Sequence, residues 1–235
     1  MYIDKNILCT ILARGGSKRL PGKNIKLLCG NPLISYAITA AKGSKYVDKI
    51  VVSTDDEAIA RVAKGEGAEV PFMRPAELAS DTATTLSTLQ HAVNFFEEKG
   101  ERFDLIVLIQ PTVPGIEAGD VDTAIEKLIG SNANSCISIC EIIDRPEWMY
   151  RLGEQGMIKP YVDPSTTPSQ TLEKLYRVNG AVYVTMYDTL MKENKIVDNT
   201  SCAGVFMPRE RSTDIDTLAD FQIAETMMKG GTFDV

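Results

Sequence analysis

The chain has 235 residues, of which 44% are hydrophobic and 24% are charged, values typical of a globular protein with a proper core. Its formal net charge of -7 argues against a general nucleic-acid binder, and its apolar runs are too short to span a bilayer. We therefore expect one cytoplasmic domain over residues 1–235 that has neither nucleic acid nor membrane as a partner, and we find no signal peptide pattern before the first apolar run.

Short apolar runs alternate with helix-period segments along most of the chain. Strands are predicted at residues 7–13, 49–53, 69–73, 105–109, 135–140, 179–185 and 203–207. Helices are predicted at residues 33–41, 56–63, 84–96, 119–129 and 218–228. This βαβ series predicts an α/β fold in three layers, with a mainly parallel sheet and helices on both faces.

Residues 142–175 interrupt this alternation. The segment contains four prolines and a hairpin-like stretch at residues 149–158 (MYRLGEQGMI). Because an isolated hairpin is only marginally stable in water, such an arm is expected to pack on something, and a second subunit is the favoured partner. We therefore predict an inserted β-hairpin dimerisation arm and a homodimer.

The strongest functional signal is residues 13–24 (ARGGSKRLPGKN), which directly follow the first predicted strand. Ligands of open α/β sheets bind outside the carboxyl ends of the strands, where this loop lies. Gly15 and Gly16 allow backbone N–H groups to approach phosphate oxygens, and the spacing matches neither a Walker loop nor G-x-G-x-x-G. A solvated basic turn is the alternative, but the loop carries four cations that favour a polyphosphate site: Arg14, Lys18, Arg19 and Lys23.

A second candidate site lies at residues 211–217 (RSTDIDT). Asp214 and Asp216 are two residues apart, so on an extended segment their carboxylates point the same way and suit one hard cation. Mg²⁺ commonly takes one or two carboxylates together with substrate phosphates. The alternative is that Asp216 only caps the following helix, but the phosphate loop elsewhere in the chain favours a magnesium site.

The cysteines and the single histidine give weaker signals. The five cysteines are odd in number and form no C-x-x-C pair, so we expect buried, reduced thiols, with Cys136 and Cys140 on one face of a strand. His91 lies in a helix-period segment and is predicted to be a helix-surface residue and a poor candidate for a general base.

Six segments, in order over nearly the whole chain, resemble the signatures of the acylneuraminate cytidylyltransferases, the CMP-sialic acid synthetase family. They are residues 13–24, 53–56 (STDD), 74–81 (RPAELASD), 108–112 (LIQPT), 177–183 (RVNGAVY) and 214–216 (DID). The resemblance implies a Rossmann-like fold of the nucleotide-diphospho-sugar transferase type. It also implies an Mg²⁺-dependent reaction of CTP with a nine-carbon 2-keto sugar acid, which gives the CMP-sugar and pyrophosphate.

The resemblance implies roles for individual residues. Those implied for the triphosphate and nucleotide are Arg14, Gly15, Gly16, Ser17, Lys23 and Asn24, with Arg74 and Thr85 near the cytidine. Those implied for the sugar acid are Gln110, Gln170, Arg177, Asn179 and Tyr183, with Ile196 and Val197 presented across the dimer. Arg14 and Lys23 would stabilise leaving-group charge, and Asp214 and Asp216 would hold the metal. The proton acceptor stays open between metal-assisted ionisation and Asp216.

The sequence departs from the family pattern on the sugar side. Residues 111–116 (PTVPGI) lack a hydroxyl and an arginine of that pattern, and Ser169 stands where an arginine is usual. These changes favour a relative of N-acetylneuraminate, such as legionaminic acid, as the acceptor. Two alternatives remain open: a nucleotidyltransferase for Kdo or another sugar, whose enzymes share the LPGK segment, and a non-catalytic CTP-binding subunit.

Overall fold

The computed structural model describes residues 4–163 and 173–230 of the chain. The strands are β1 (Ile7–Leu12), β2 (Leu27–Leu28), β3 (Asn31–Pro32), β4 (Lys49–Ser53), β5 (Leu105–Ile109), β6 (Ser135–Glu141), β7 (Tyr150–Leu152), β8 (Ile158–Pro160), β9 (Tyr176–Met186) and β10 (Cys202–Phe206). The α-helices are α1 (Leu33–Gly43), α2 (Glu57–Gly65), α3 (Ala76–Ala79), α4 (Thr85–Glu97), α5 (Ala118–Ser131), α6 (Tyr187–Met191) and α7 (Leu218–Lys229).

The central sheet has the strand order β10-β6-β9-β5-β1-β4. Strand β1 pairs in parallel with β4 and β5, and β10 pairs in parallel with β6, so the predicted mainly parallel sheet is confirmed. Strand β9 runs antiparallel between β5 and β6. Because β9 runs in the opposite direction, its first residues lie at the same sheet edge as the carboxyl ends of β1 and β5.

Helices cover both faces of the sheet, as the sequence predicts. Side chains alternate between the faces along β1: Ile7 belongs to the core beneath α1 and α5, and Leu8 to the core beneath α4. Near-continuous apolar strands are expected where a parallel sheet is buried on both sides. The five side chains of β5 are all buried, as this arrangement requires.

The predicted strand at residues 69–73 is wrong beyond its first residue. Glu69 forms only an isolated parallel bridge with Val51 at the edge of the sheet. Pro71 has no N–H to donate to a ladder, so the pairing cannot continue past it. The chain instead returns to the residue that follows β4, where the Arg74 N–H donates to the Thr54 carbonyl at 2.7 Å.

The predicted hairpin within residues 142–175 is confirmed as the antiparallel pair β7 and β8. Its large apolar side chains are exposed, including Leu152, which is 78% accessible, and Met157 and Ile158. The dimerisation role of this arm stays a prediction. Among the described residues, no helix is both long and apolar enough to cross a membrane.

The thiols and the histidine lie largely as predicted. Cys136 and Cys140 are buried and reduced on β6, and burial raises the pKa of Cys136 to about 12. His91 lies on α4, half-buried, with its ring edge-to-face against Phe72 at 4.8 Å. Burial, and after it the charge of Arg74, lowers the pKa of His91, so the imidazole is neutral at pH 7.

Candidate active site

The basic loop, residues 13–24, leaves the carboxyl end of β1 and is held by a small apolar core of its own. Leu20 from the loop is buried in the same cluster as Ile215, which lies between the two predicted metal carboxylates. Leu33 of α1 and Phe221 of α7 complete the contact. Packing therefore places the predicted phosphate loop and the predicted metal carboxylates side by side, although about 190 residues separate them.

Gly15 is shaped by the segment that follows β4. Its N–H donates to Asp55 Oδ1 at 2.9 Å, and a Cβ atom on Gly15 would lie 2.8 Å from Asp56 Oδ2. Asp56 cannot yield, because its Oδ1 caps α2 by accepting from the Ala58 and Ile59 N–H groups at 2.7 and 3.0 Å. A glycine is therefore required at this position of the loop.

Two of the loop cations share the carboxylate of Asp81. Arg14 Nη1 lies 3.0 Å from Asp81 Oδ1, and it also donates to the Ser80 carbonyl at 3.4 Å. Lys18 pairs with the other oxygen of Asp81. Lys18, and after it Arg14, hold the pKa of Asp81 below its usual range, so this carboxylate is ionised at neutral pH. Asp81 was not among the predicted site residues, although it is the last residue of segment 74–81, which resembles the family.

The other two loop cations share Asp216. Arg19 Nη1 lies 3.0 Å from Asp216 Oδ2, and Lys23 Nζ lies 3.1 Å from Oδ1. Lys23 also donates to the Ile215 carbonyl at 2.7 Å, and its side chain is only 12% exposed. These two acceptors fix the Lys23 ammonium beside the predicted metal carboxylates.

Asp214 and Asp216 are on one outward side of their segment, since Ile215 between them is fully buried. Although Asp214 as a whole is exposed, desolvation of its carboxyl group, and then the nearby charge of Asp216, raise its pKa, whereas the charge of Lys23 lowers it. Asp216 does not cap α7. Thr217 does so instead, accepting from the Asp220 N–H at 3.3 Å in a capping box, so the alternative reading of Asp216 is wrong.

The donor set fits a magnesium ion that shares its coordination with a substrate. Two hard carboxylates lie together: Asp214 is close enough to Asp216 for that charge to raise its pKa, and Asp216 pairs with Lys23. No group of three or more metal-binding side chains occurs among residues 4–163 and 173–230. A site of this kind suits Mg²⁺, which keeps several waters and takes phosphate oxygens as ligands.

Two adjoining cavities of about 200 and 220 Å³ open beside the loop. Leu12, Arg14 and Thr85 line both, so the cavities form one continuous cleft at the carboxyl end of β1. Predicted site residues that line the first cavity are Arg14, Ser17, Lys23, Asn24, Thr85 and Gln110. The second is bounded by Arg74, Asp81 and the start of α4, including Thr84 and Thr88. Both parts of the cleft thus carry charged side chains: Arg14 and Lys23 in the first cavity, and Arg14, Arg74 and Asp81 in the second.

Asn24 and Arg74 are both buried in the walls of this cleft. Asn24 Nδ2 donates to the Arg14 carbonyl at 2.9 Å and so holds the loop backbone. Arg74 is 7% exposed, and its Nε donates to Ser53 Oγ at 3.0 Å while Nη2 donates to the Ser53 carbonyl. Burial lowers the pKa of Arg74 to about 10, so the guanidinium remains charged at pH 7.

The predicted sugar-side motif lies beside Asp214, one of the two predicted metal carboxylates, at Gly180. Gln110 follows β5, and its N–H donates to the Ala181 carbonyl at 3.1 Å. Gly180 has a φ of +83°, which favours glycine, and a Cβ here would lie 3.6 Å from Gln110 Oε1 and 3.8 Å from Asp214 Oδ2. Gln110 and Asp214 therefore flank one point at the edge of the sheet, as two residues predicted to act on neighbouring substrates should.

Asn179 lies behind the site and not in it. The residue is 2% exposed, and Oδ1 accepts from Ser138 Oγ at 2.5 Å and from the Ala181 N–H at 3.2 Å. Its Nδ2 donates to Ser212 Oγ at 2.8 Å and also approaches the Met207 sulfur. These bonds use the capacity of the amide, so the structure gives Asn179 a supporting role, at odds with the predicted contact to a sugar.

The remaining sugar-side predictions are placed differently from one another. Tyr183 lies half-buried beside Asp214, and burial, with that charge, raises its pKa. Arg177 is exposed, and one of its Nη atoms is 3.5 Å from the Ser212 carbonyl. Ile196 packs against the core beneath α4, and Val197 is half-buried, so their presentation across a dimer stays a prediction. Gln170 lies outside the described residues.

Comparison with known proteins agrees with this arrangement. A family model described as cytidylyltransferase matches residues 8–199. The chain belongs to the cytidylyltransferase family. The predicted family resemblance is confirmed, and with it the assignment of the chain as an enzyme that transfers a cytidylyl group.

Relatives with similar sequences act on related acids, by their names. The chain is 34% identical over 226 residues to the CMP-N,N'-diacetyllegionaminic acid synthase of Legionella pneumophila, with 95% of this chain and 96% of the relative covered. It is 33% identical over 223 residues to the pseudaminic acid cytidylyltransferase of Campylobacter jejuni, covering 94% and 96%. An N-acylneuraminate cytidylyltransferase of Streptococcus agalactiae is 32% identical over 91% of this chain and 51% of the relative.

Solved structures confirm the predicted fold class. A CMP:2-keto-3-deoxy-manno-octonic acid synthetase complexed with CTP superposes with a TM-score of 0.72 at 17% identity, covering 96% of this chain and 99% of that one. A 4-diphosphocytidyl-2C-methyl-D-erythritol synthase gives a TM-score of 0.70 at 16% identity with the same coverage. At these identities the likeness extends to the fold, which both nucleotidyltransferases share with this chain.

Proposed function

We propose that the enzyme transfers CMP from CTP to the anomeric hydroxyl of a nine-carbon 2-keto sugar acid of the sialic and legionaminic acid class. The bond from the α-phosphorus to the bridging oxygen breaks, a bond from the sugar oxygen to the α-phosphorus forms, and pyrophosphate leaves with the electron pair. The observation that carries the proposal is the cleft lined by Arg14, Lys23 and Gln110, beside which Lys23 pairs with Asp216 and Gln110 lies near Asp214 at Gly180.

The chain's own cations supply the charge that this reaction needs. Negative charge grows on the departing pyrophosphate, so fixed cations stabilise the transition state more than the ground state. Lys23 is suited to this task because it is held by the protein at two acceptors before any ligand arrives. Arg14, which lines both cavities, would neutralise the outer phosphates, and the second cavity, bounded by Arg74 and Thr85, would take the cytidine.

Asp214 and Asp216 would hold Mg²⁺ in this proposal. When bound, the ion would neutralise phosphate charge and favour ionisation of the attacking hydroxyl. Lys23 and Arg19 both pair with Asp216 in the free chain, so they are already positioned beside the place where the phosphates would bind. They would exchange this carboxylate for phosphate oxygens. Asp214 and Gln110 both lie next to Gly180. The proposed metal ligand would therefore be close to the residue proposed to bind the sugar acid.

Legionaminic acid or a close relative is the favoured acceptor. The support is the relative named CMP-N,N'-diacetyllegionaminic acid synthase, which matches this chain along nearly its whole length. Ile116 agrees with this choice, because it stands where the sialic acid pattern has an arginine and is buried rather than turned to the cleft. An acceptor with fewer hydroxyls would need fewer polar contacts on this side.

We further propose a homodimer formed through the arm. Exposed apolar side chains of this kind commonly mark a protein interface, and a second copy presents a matching surface by symmetry. The side chains concerned are Trp148, Leu152, Met157, Ile158 and Tyr161, each at least half exposed in one chain.

A substrate panel tests the function. Purified protein is incubated with CTP and, in separate reactions, legionaminic, pseudaminic, N-acetylneuraminic and Kdo acids, with Mg²⁺ or with a chelator, and pyrophosphate release is measured. We expect release with CTP and a nine-carbon acid, which the chelator abolishes. Turnover with Kdo alone would move the enzyme to another sugar class. CTP binding by thermal shift without any release would instead mark a non-catalytic subunit.

A further inference from the structure

Arg211 forms a buried ion pair next to the site, which the proposed function does not use. Its Nη1 and Nη2 donate to the two oxygens of Asp120 at 2.6 and 3.0 Å, in a bidentate arrangement. The side chains of Arg211 and Asp120 are only 14% and 8% exposed. Nη1 also donates to the Gly115 carbonyl at 3.0 Å and lies 3.3 Å from Glu117 Oε2. Arg211 thereby binds the start of α5 and the loop before it.

Each end of this pair leads directly into the site. Gly115 belongs to the loop that follows Gln110, and Arg211 lies three residues before Asp214. Asp120 also accepts from the Glu117 N–H at 2.9 Å, so the same carboxylate fixes the first turn of α5. The pair consequently joins the chain segment that carries Gln110 to the chain segment that carries Asp214.

Two further bonds hold the second segment on either side of Asp214. Ser212 Oγ accepts from Asn179 Nδ2 at 2.8 Å, and the Ile215 N–H donates to the Thr112 carbonyl at 2.8 Å. With Arg211 these bonds clamp residues 211–215 at three points against β9 and against the loop after β5. The separation of Asp214 from Gln110 across Gly180 is set by this clamp.

We propose that Arg211 is a positioning residue whose pair with Asp120 fixes Asp214 relative to Gln110. Its guanidinium is turned toward α5 and touches no group that lines the cleft. Arginine is needed because its planar fork spans both carboxylate oxygens and a carbonyl at once, which a lysine ammonium cannot do. The proposal rests on the proposed function for Asp214 and Gln110.

The test compares Arg211→Lys, Asp120→Asn and the double variant with the wild type. We expect kcat to fall by about 10- to 100-fold in each single variant and the Mg²⁺ concentration for half-maximal rate to rise about tenfold, as for other supports of a metal ligand. KM for CTP should stay within about twofold, because the loop cations are untouched. The double variant should be no worse than the poorer single one, since both changes remove one pair.

A control and a readout independent of turnover separate positioning from stability. Lys49→Ala removes another partly buried ion pair, with Glu101, at the far end of β4. It should lower Tm without changing kcat or the Mg²⁺ requirement. Amide hydrogen exchange at Ile215, which donates into the clamp, should be faster in Arg211→Lys and unchanged in Lys49→Ala.

The outcomes are distinguishable. The proposal is overturned if Arg211→Lys lowers Tm like the control but leaves kcat, the Mg²⁺ requirement and Ile215 exchange unchanged. A rise in KM for CTP with kcat unchanged would also overturn it, because it would indicate substrate contact. If the wild type releases no pyrophosphate with any acid, the proposed function fails. The exchange measurement then still decides whether Arg211 holds the Asp214 segment.

Discussion

The basic loop and the arm present opposite kinds of surface. In the loop, Arg14 and Lys23 already have protein partners, and Leu20 anchors the segment in a core. In the arm, Leu152 and Met157 point into solvent with nothing described in the chain to cover them. The proposed anion site is therefore held in place by contacts within one chain, whereas the described residues leave the apolar side chains of the hairpin uncovered. The nucleotide side should tolerate isolation of one subunit better than the sugar side.

The largest expected effect is on turnover and comes from a change in the basic loop. Lys23→Ala removes a nearly buried cation that is fixed before substrate binds, so we expect kcat to fall by about 10³-fold while Tm changes little. Initial rates of pyrophosphate release measure the effect. Lys26→Ala is the matched control, because Lys26 is exposed and lies over the Phe221 ring, outside the cleft. A Lys23→Ala enzyme within tenfold of wild type would remove Lys23 from transition-state stabilisation.

The second prediction concerns the arm and its proposed role in self-association. Leu152→Asp places a charge where the proposed dimer buries an apolar side chain, and a buried unpaired charge is costly, so self-association should weaken by about 100-fold. Light scattering coupled to size exclusion measures it. CTP binding should survive in the resulting monomer, whereas turnover with the sugar acid should drop. Ile223→Asp, at an exposed position on α7, is the control. An unchanged dimer would move the interface away from β7 and β8.

Sequence reasoning succeeded where local pattern decides structure. Strands Lys49–Ser53 and Leu105–Ile109 are found at the predicted bounds, because each is a short apolar run bounded by polar residues. The position of the basic loop followed from the same logic, since the carboxyl ends of parallel strands share one edge. These inferences need only the periodicity of neighbouring residues.

Contacts between residues far apart in the sequence could not be predicted from local pattern. Asp81 meets Arg14 across 67 residues, and Arg211 meets Asp120 across 91, with no local signal for either contact. Asn179 is turned inward, and the pairing of β6 with β9 shifts register between Ile137 and Ile139, so counting along the strand would not give its face. The motif predicted that Asn179 lies near the site. It gave no sign that the Asn179 amide makes all its hydrogen bonds within the protein.

A third, smaller prediction sharpens the nucleotide side. Arg74→Lys keeps the positive charge but loses the planar fork that donates to the Ser53 hydroxyl through Nε and to the Ser53 carbonyl through Nη2. We expect KM for CTP to rise about tenfold and Tm to fall, with kcat at saturation nearly unchanged. Rates at varied CTP and a thermal melt test this. Arg61→Lys, on the exposed side of α2, should be silent. A loss confined to kcat would place Arg74 among the groups acting on the transition state.

The smallest expected effect concerns the two carboxylates that share the loop cations. Asp216 is the proposed metal ligand, whereas Asp81 has no such second role, so its exposed pairs with Arg14 and Lys18 must simply be given up when triphosphate binds. Exposed ion pairs contribute little, so removing the Asp81 charge should lower KM for CTP about three- to fivefold. The gain should shrink in high salt, which screens such pairs.

Initial rates at varied CTP measure this KM for Asp81→Asn, calorimetric titration measures its CTP binding, and Asp104→Asn, at another exposed pair with Lys5, is the control. Tighter CTP binding with slower turnover would mean that Asp81 helps pyrophosphate leave by reclaiming the cations. A higher KM would mean the opposite, that the Asp81 pairs hold the loop in its binding shape. In that case the shape of the basic loop would depend on the Asp81 carboxylate. The loop would then be less ready to bind an anion on its own, and it would differ less from the uncovered arm.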